Sequence, residues 1–273
     1  MSGPLPDPWS ALAAFTPARI ALGRAGASPP TREVLAFALA HAQARDAVHA
    51  RLDRAALARD LAALGLACVE VESEACDRQV YLCRPDLGRR LQASSRTRLA
   101  ARALADRPPL VLVIGDGLSA TAVARHAPVL IREFLPLATK SGLSLGPLVL
   151  AEGARVALGD EIGGLLGARF VAVLIGERPG LSAADSMSVY LTREPRAGRT
   201  DAERNCISNI RPGGLPPSAA ARSLAWLIEA AMVTGATGVA LKDRSDVALP
   251  SVSDGLLGPL PRATGNDSES MTG

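Results

Sequence analysis

Phe170-Val-Ala-Val-Leu-Ile175 is an unbroken apolar run, rich in β-branched residues and closed by Gly176. A strand covered on both faces reads this way, and such strands belong to parallel sheets. The loop that follows, Gly176-Glu177-Arg178-Pro179-Gly180, sets one acid and one base at the carboxyl end of that strand. In open α/β sheets, ligands bind at that edge.

The pattern occurs twice upstream. Leu110-Val-Leu-Val-Ile114 runs into Gly115-Asp116-Gly117 and a helical segment from about Ser119. Pro147-Leu-Val-Leu-Ala151 runs into Glu152-Gly153-Ala154-Arg155-Val156 and a short helix over Asp160 to Leu166. Strand, loop and helix repeated in this order predict crossover units in one sheet, with their loops opening on one edge. The expected fold is α/β: a Rossmann-like parallel sheet flanked by helices, preceded by a smaller, mainly helical N-terminal region.

The expected division is residues 1–15 as a flexible N-terminus, 16–107 as the helical region, 108–244 as the α/β domain and 245–273 as a disordered tail. Thr31 precedes a helical stripe of Val34, Leu35, Ala38, Leu39 and Ala42 and is expected to cap it. Asp53 is expected to cap a second helix that Gly65 ends. Cys68-Val-Glu-Val-Glu-Ser73 alternates like a strand with one wet face. Ser218 to Val233 reads as a last helix, and Gly238-Val-Ala-Leu241 as a last short strand.

Composition excludes several function classes. The chain has 273 residues, enough for a substantial core, and is 48% hydrophobic but only 3% aromatic. Few aromatics and a net charge of +3 with interspersed signs argue against a nucleic-acid partner. No stretch reaches the length of a membrane span, so no membrane partner is expected. Cys68, Cys76, Cys83 and Cys206 lack C-x-x-C spacing and are expected to be free thiols in a reducing cytoplasm. The three histidines, His41, His49 and His126, form no cluster with metal-ligand spacing.

Two local motifs carry alternative chemistry. Gly115-Asp-Gly-Leu-Ser-Ala120 fits G-x-G-x-x-A, the dinucleotide turn, but no acid stands at a strand end about twenty residues on. A tight strand-to-helix turn explains it better than a nicotinamide site. Arg84-Pro85-Asp86 with Arg89-Arg90 offers guanidinium groups suited to carboxylates or phosphates, or to a salt-bridge knot at a subunit interface. The interface knot is the favoured reading.

Val156-Ala-Leu-Gly-Asp-Glu-Ile-Gly163, Leu174-Ile-Gly-Glu-Arg-Pro-Gly180 and Asn205-Cys-Ile-Ser-Asn209 resemble consecutive motifs of the small (light) subunit of ethanolamine ammonia-lyase. Gly23-Arg-Ala-Gly26 and Tyr81 to Leu91 are similar to the same family, so the likeness runs from about Arg19 to Lys242. The resemblance implies a subunit that completes an adenosylcobalamin site with a large (β/α)₈-barrel subunit, as heterodimers assembled into a higher oligomer. It implies conversion of ethanolamine to acetaldehyde and ammonia by a radical mechanism, with the substrate pocket in the large subunit. No catalytic residue is then expected in this chain.

By the same resemblance Val156, Glu177 and Cys206 stand where the family contacts the cofactor. Taken alone, Val156 would be an ordinary loop residue, Glu177 half of a surface ion pair with Arg178, and Cys206 a core thiol. Because the stretch from Tyr190 to Asn205 is one residue shorter than the family pattern, Cys206 is aligned through its own motif. No D-x-H-x-x-G motif is present, since His126 stands between Ala124-Arg125 and Ala127-Pro128. The cofactor is therefore expected base-on, with its own benzimidazole on cobalt. Many relatives carry a longer N-terminal extension that directs them into a bacterial microcompartment, whereas only about a dozen residues precede the matching region here, so the enzyme is expected either to work free in the cytoplasm or to be addressed to the microcompartment by its partner.

Overall fold

A computed structural model of the chain describes residues 7–102 and 109–245. The described residues up to Asp243 form one compact unit; Arg244 and Ser245 begin a second. Residues 1–6, the start of the α/β segment at Pro108, and the tail from 246 lie outside the described residues.

In chain order the first elements are α1 (Thr31–His49), α2 (Arg54–Ala62), β1 (Cys68–Glu72), α3 (Arg78–Cys83) and α4 (Ala93–Ala100). Then come β2 (Leu110–Gly115), α5 (Ala120–Lys140), β3 (Leu148–Glu152), α6 (Leu158–Leu165) and β4 (Phe170–Gly176). The chain closes with β5 (Met187–Arg193), β6 (Arg204–Ile210) and α7 (Pro217–Thr234). The result is a mixed α/β fold around one six-stranded sheet, ordered β1-β3-β2-β4-β5-β6. The first four strands are parallel, and β5 and β6 add on antiparallel.

Strand burial explains the apolar runs. Every residue of β2 and β4 is buried, because helices cover both faces of the sheet centre. On one face Leu112, Ile114, Leu174 and Val189 pack with Phe134 of α5 and Leu224 of α7. On the other, Val113, Val171 and Val173 pack with Leu99 of α4 and Ile162 of α6. Each such side chain contributes on the order of 1.5–3 kcal/mol when taken fully from water.

Side-chain caps define several helix starts. The Asp53 carboxylate accepts from Ala56 N at 2.9 Å, Asp77 from Val80 N at 2.8 Å and Ser119 Oγ from Ala122 N at 3.3 Å. Thr31 is not a cap. The extended residue before α1 is Pro30, whose ring fixes φ near the required value, and Thr31 is already helical. At the other end of the chain Gly235, at φ 72°, closes α7.

The expected strand at Gly238–Leu241 is a 3-10 turn instead. Asn205 takes the backbone groups that a strand would offer a neighbour: its Oδ1 accepts from Gly238 N at 2.9 Å, and its Nδ2 donates to Leu241 O at 2.7 Å. Two strands absent from the sequence reading, β5 and β6, fill that edge of the sheet.

Candidate functional site

The carboxyl ends of β1, β2 and β3 are knit together by buried polar groups. Asp116, at the end of β2, accepts from Gly117 N and Ala154 N, both at 3.0 Å, and Arg78 Nη1 stands 3.5 Å from its other oxygen. Burial pushes its carboxyl above the usual range, against the pull of these donors. Tyr81 donates its hydroxyl to Ala154 O at 3.0 Å, and the Arg155 guanidinium lies 4.1 Å from its ring centre. Burial raises the Tyr81 hydroxyl to about 12. These bonds fix the loop that delivers Val156.

The expected dinucleotide turn serves internal packing. Gly117 has φ 58°, and a Cβ there would collide with Gly176 O. Leu118 N donates to Gly176 O at 2.9 Å, so the crevice between the β2 and β4 loops is closed by the chain itself. The Arg84 and Asp86 side chains bond each other twice, at 3.0 and 2.8 Å, on the exposed surface.

Across the sheet the picture changes. The α6 side of β6 is open beyond Arg204, which donates to Asp160 of α6 at 2.5 Å and marks the border of the helix-covered area. Outward from that border, Cys206 and Ser208 are exposed and Tyr190 is half-buried. Tyr190 pairs with Cys206 across the β5–β6 ladder, so both side chains point to this face. Val156 and the Tyr190 ring pack on the same apolar cluster, beside Val173 and Ile175.

Glu177 sits at the rim of this open face, directly after β4. Its Oε1 accepts from the Ser188 hydroxyl and from Asn209 N, the latter at 3.0 Å. Both bonds use one oxygen. Among the described residues nothing donates to Oε2, which leaves a fixed, half-exposed acceptor. The surface ion pair with Arg178, the reading of Glu177 taken alone, is not formed among the described residues; these two bonds hold the carboxylate instead.

Cys206 is not a core thiol, since its residue is exposed. Its sulfur nevertheless lies against Tyr190 and Ser188, and burial of the thiol pushes it above its ordinary value. The Tyr190 hydroxyl is likewise raised, by burial first and then by Cys206. At neutral pH both groups stay protonated: a neutral thiol and a neutral phenol, available as weak or ordinary hydrogen-bond donors.

Thus Glu177 and Cys206 meet through Ser188 and Tyr190, while Val156 joins by apolar packing and bonds neither of them. Tyr190 and Ser188 were not singled out in the sequence. The signal that could have found them is the alternation Met187-Ser-Val-Tyr-Leu-Thr192, which reads as a half-buried strand with polar side chains on one face. A separate cleft of about 90 Å³ lies among Arg54, Arg78, Tyr81 and Asp116, and none of the three expected residues lines it. Their surface is a broad open face rather than a hollow.

That surface fits the chemistry of a corrin ring, a wide apolar disc fringed by amides. An apolar patch from Val156 and Tyr190, one unused carboxylate oxygen and two neutral donors match such an edge.

The family profile described as ethanolamine ammonia-lyase light chain (EutC) matches residues 6–242. A protein of Bradyrhizobium diazoefficiens named ethanolamine ammonia-lyase small subunit is 58% identical over 236 residues, covering 86% of this chain and 90% of the relative. One of the same name from Rhodopseudomonas palustris is 58% identical over 231 residues, 85% and 88% of the two chains. Another from Ralstonia nicotianae is 53% identical over 245 residues, 89% and 91%.

Proposed function

Because the chain belongs to the ethanolamine ammonia-lyase light chain family, we propose that it is the small subunit of an adenosylcobalamin-dependent lyase and holds one side of the cofactor. A large partner subunit, built on a (β/α)₈ barrel, closes the other side and carries the ethanolamine pocket. The single observation that supports this reading best is Glu177, whose carboxylate is clamped through Oε1 and offers Oε2 beside Cys206 and Tyr190.

Each residue has a definite task in this reading. Val156 and the Tyr190 ring give the apolar surface for the corrin edge. Glu177 Oε2 accepts from amide side arms, and Ser188 and Asn209 keep it from swinging away. Cys206, as a neutral thiol, fills space and adds a weak polar contact rather than a nucleophile or cobalt ligand. When bound, adenosylcobalamin supplies the radical chemistry that turns ethanolamine into acetaldehyde and ammonia.

The cofactor keeps its own base in this reading. His126 is buried on α5 with Nε2 at 3.0 Å from Asp185 O, turned to its own chain. His41 and His49 lie on the exposed side of α1. The four free thiols fit a reducing cytoplasm, and among the described residues no helix is long and apolar enough to cross a membrane.

Reconstitution tests the proposal. Acetaldehyde release from ethanolamine is measured with this chain, the large subunit, and both, each with and without adenosylcobalamin. Release is expected only from the complete mixture. A folded, associated pair that releases none in the presence of the cofactor would overturn it.

A further inference from the structure

Helix α1 is built inside out. Its buried residues are Ala40 and Ala47, whereas Leu35 and Leu39, one turn apart and about 90–130° around the helix from them, are 64% and 61% exposed. Val34 and Phe37 are also about half exposed. A surface helix of a lone chain places its large apolar side chains inward. Here alanines face the protein and the large side chains face out, the pattern of a helix whose second face is covered in an assembly.

The apolar surface leads to the candidate cofactor edge. Arg19 lies over the Phe37 ring, 5.9 Å from its centre, and its Nη2 donates to Leu181 O at 3.1 Å. Leu181 belongs to the loop that begins at Glu177, and Leu181 and Ile20 are themselves more than a third exposed. Leu35, Leu39, Val34 and Phe37 wrap the outer half of α1 and, with Ile20 and Leu181, present roughly 500 Å² of apolar side chain.

We infer that this surface is where the large subunit docks. The inference rests on the proposed function, and the choice of occupant follows from continuity: a partner that closes a cofactor over Glu177 lies over the Glu177–Leu181 loop, and Arg19 joins that loop to α1. A second copy of this chain on the same face would compete with that closure. The docking energy is expected to centre on Leu35 and Leu39, the most exposed of these six residues.

The test uses the double variant Leu35→Glu/Leu39→Glu, a milder Leu35→Ser/Leu39→Ser, and Val233→Glu as a control on the exposed end of α7. Sedimentation gives the self-association of each chain alone and its Kd for the purified large subunit, and thermal melting checks the fold. The glutamate pair is expected to raise that Kd about 100-fold, and the serine pair about tenfold, with unchanged melting. Val233→Glu should bind as wild type. Unchanged binding by a folded glutamate or serine pair would overturn the inference. So would loss of self-association with large-subunit binding intact, which would assign the face to a second copy. Failure of the wild-type chain to bind the large subunit would overturn this inference and the proposed function together. Association that depends on Leu35 and Leu39, in a complex that forms no acetaldehyde, would leave the surface standing and remove only the lyase reading.

Discussion

Arg204→Ala is expected to destabilise the chain by about 3–5 kcal/mol at pH 7, the cost of leaving one partner of a buried ion pair alone. Arg204 and Asp160 side chains are each 2% exposed and 2.5 Å apart. Arg204 also donates to Thr192 Oγ1 at 3.2 Å and Arg199 O at 2.8 Å. These bonds tie α6 to β6 at the border of the open face. Truncating Arg204 strands the Asp160 carboxylate in the protein interior.

The pH dependence of that loss has a definite sign. Burial already raises the Asp160 carboxyl above its ordinary value of 3.8, with Arg204 opposing the rise. Without Arg204 it rises further. A carboxyl whose folded value lies above its unfolded one stabilises fully below the unfolded value, and that contribution is lost as pH rises through the folded value. The destabilisation of Arg204→Ala, read by urea unfolding, should therefore be smaller at pH 4 than at pH 7. Adding Asp160→Asn to Arg204→Ala should recover part of it. A loss under about 1 kcal/mol at pH 7 would show that the pair does not anchor α6.

The second large effect falls on cofactor binding. Glu177→Ala removes a charged acceptor, and the affinity of the assembled complex for adenosylcobalamin is expected to fall about 10- to 100-fold, equivalent to about 1.5–3 kcal/mol. The same change frees the Ser188 hydroxyl and Asn209 N, so the rim of the open face loses its clamp as well as its acceptor. Glu177→Gln keeps one acceptor oxygen and should bind between wild type and the alanine variant. Absorbance titration of the complex gives these affinities. Equal affinity for Glu177→Ala and wild type would place the cofactor elsewhere and leave this chain an assembly subunit.

The parallel half of the sheet was legible in the sequence because its strands are buried on both faces, which leaves unbroken runs such as Leu110 to Ile114. The antiparallel edge was not. β5 alternates polar and apolar residues because its second face packs on polar groups, Ser188 on Glu177 and Thr192 on Arg204, and β6 interleaves Asn205, Cys206, Ser208 and Asn209 between its buried positions, so neither gives a continuous signal. Asn205 likewise diverts the backbone at Gly238 from a strand by a contact 33 residues away, which no local pattern records.

The same division holds for the site. The loop that carries Glu177 stood out because a strand-end loop after a buried strand is where such sheets carry ligands. The choice of Val156, Glu177 and Cys206 as cofactor contacts came from the family resemblance. Tyr190 and Ser188, which join Cys206 to Glu177, depend on the β5–β6 register and emerge only once strands are paired.

The measurement that bears most directly on cobalamin at this sheet edge is the alkylation rate of Cys206 in the complex with the large subunit, with and without adenosylcobalamin. Cys206 is an exposed residue on the open face, its thiol resting against Tyr190 and Ser188, and Cys76 and Cys83 are exposed residues elsewhere that serve as internal controls. Cofactor is expected to slow Cys206 alkylation about tenfold or more, the cost of displacing a bound ligand from the thiol, and to leave Cys76 and Cys83 unchanged. A Cys206 rate that does not move, at a cofactor concentration that supports turnover, would contradict the proposed site.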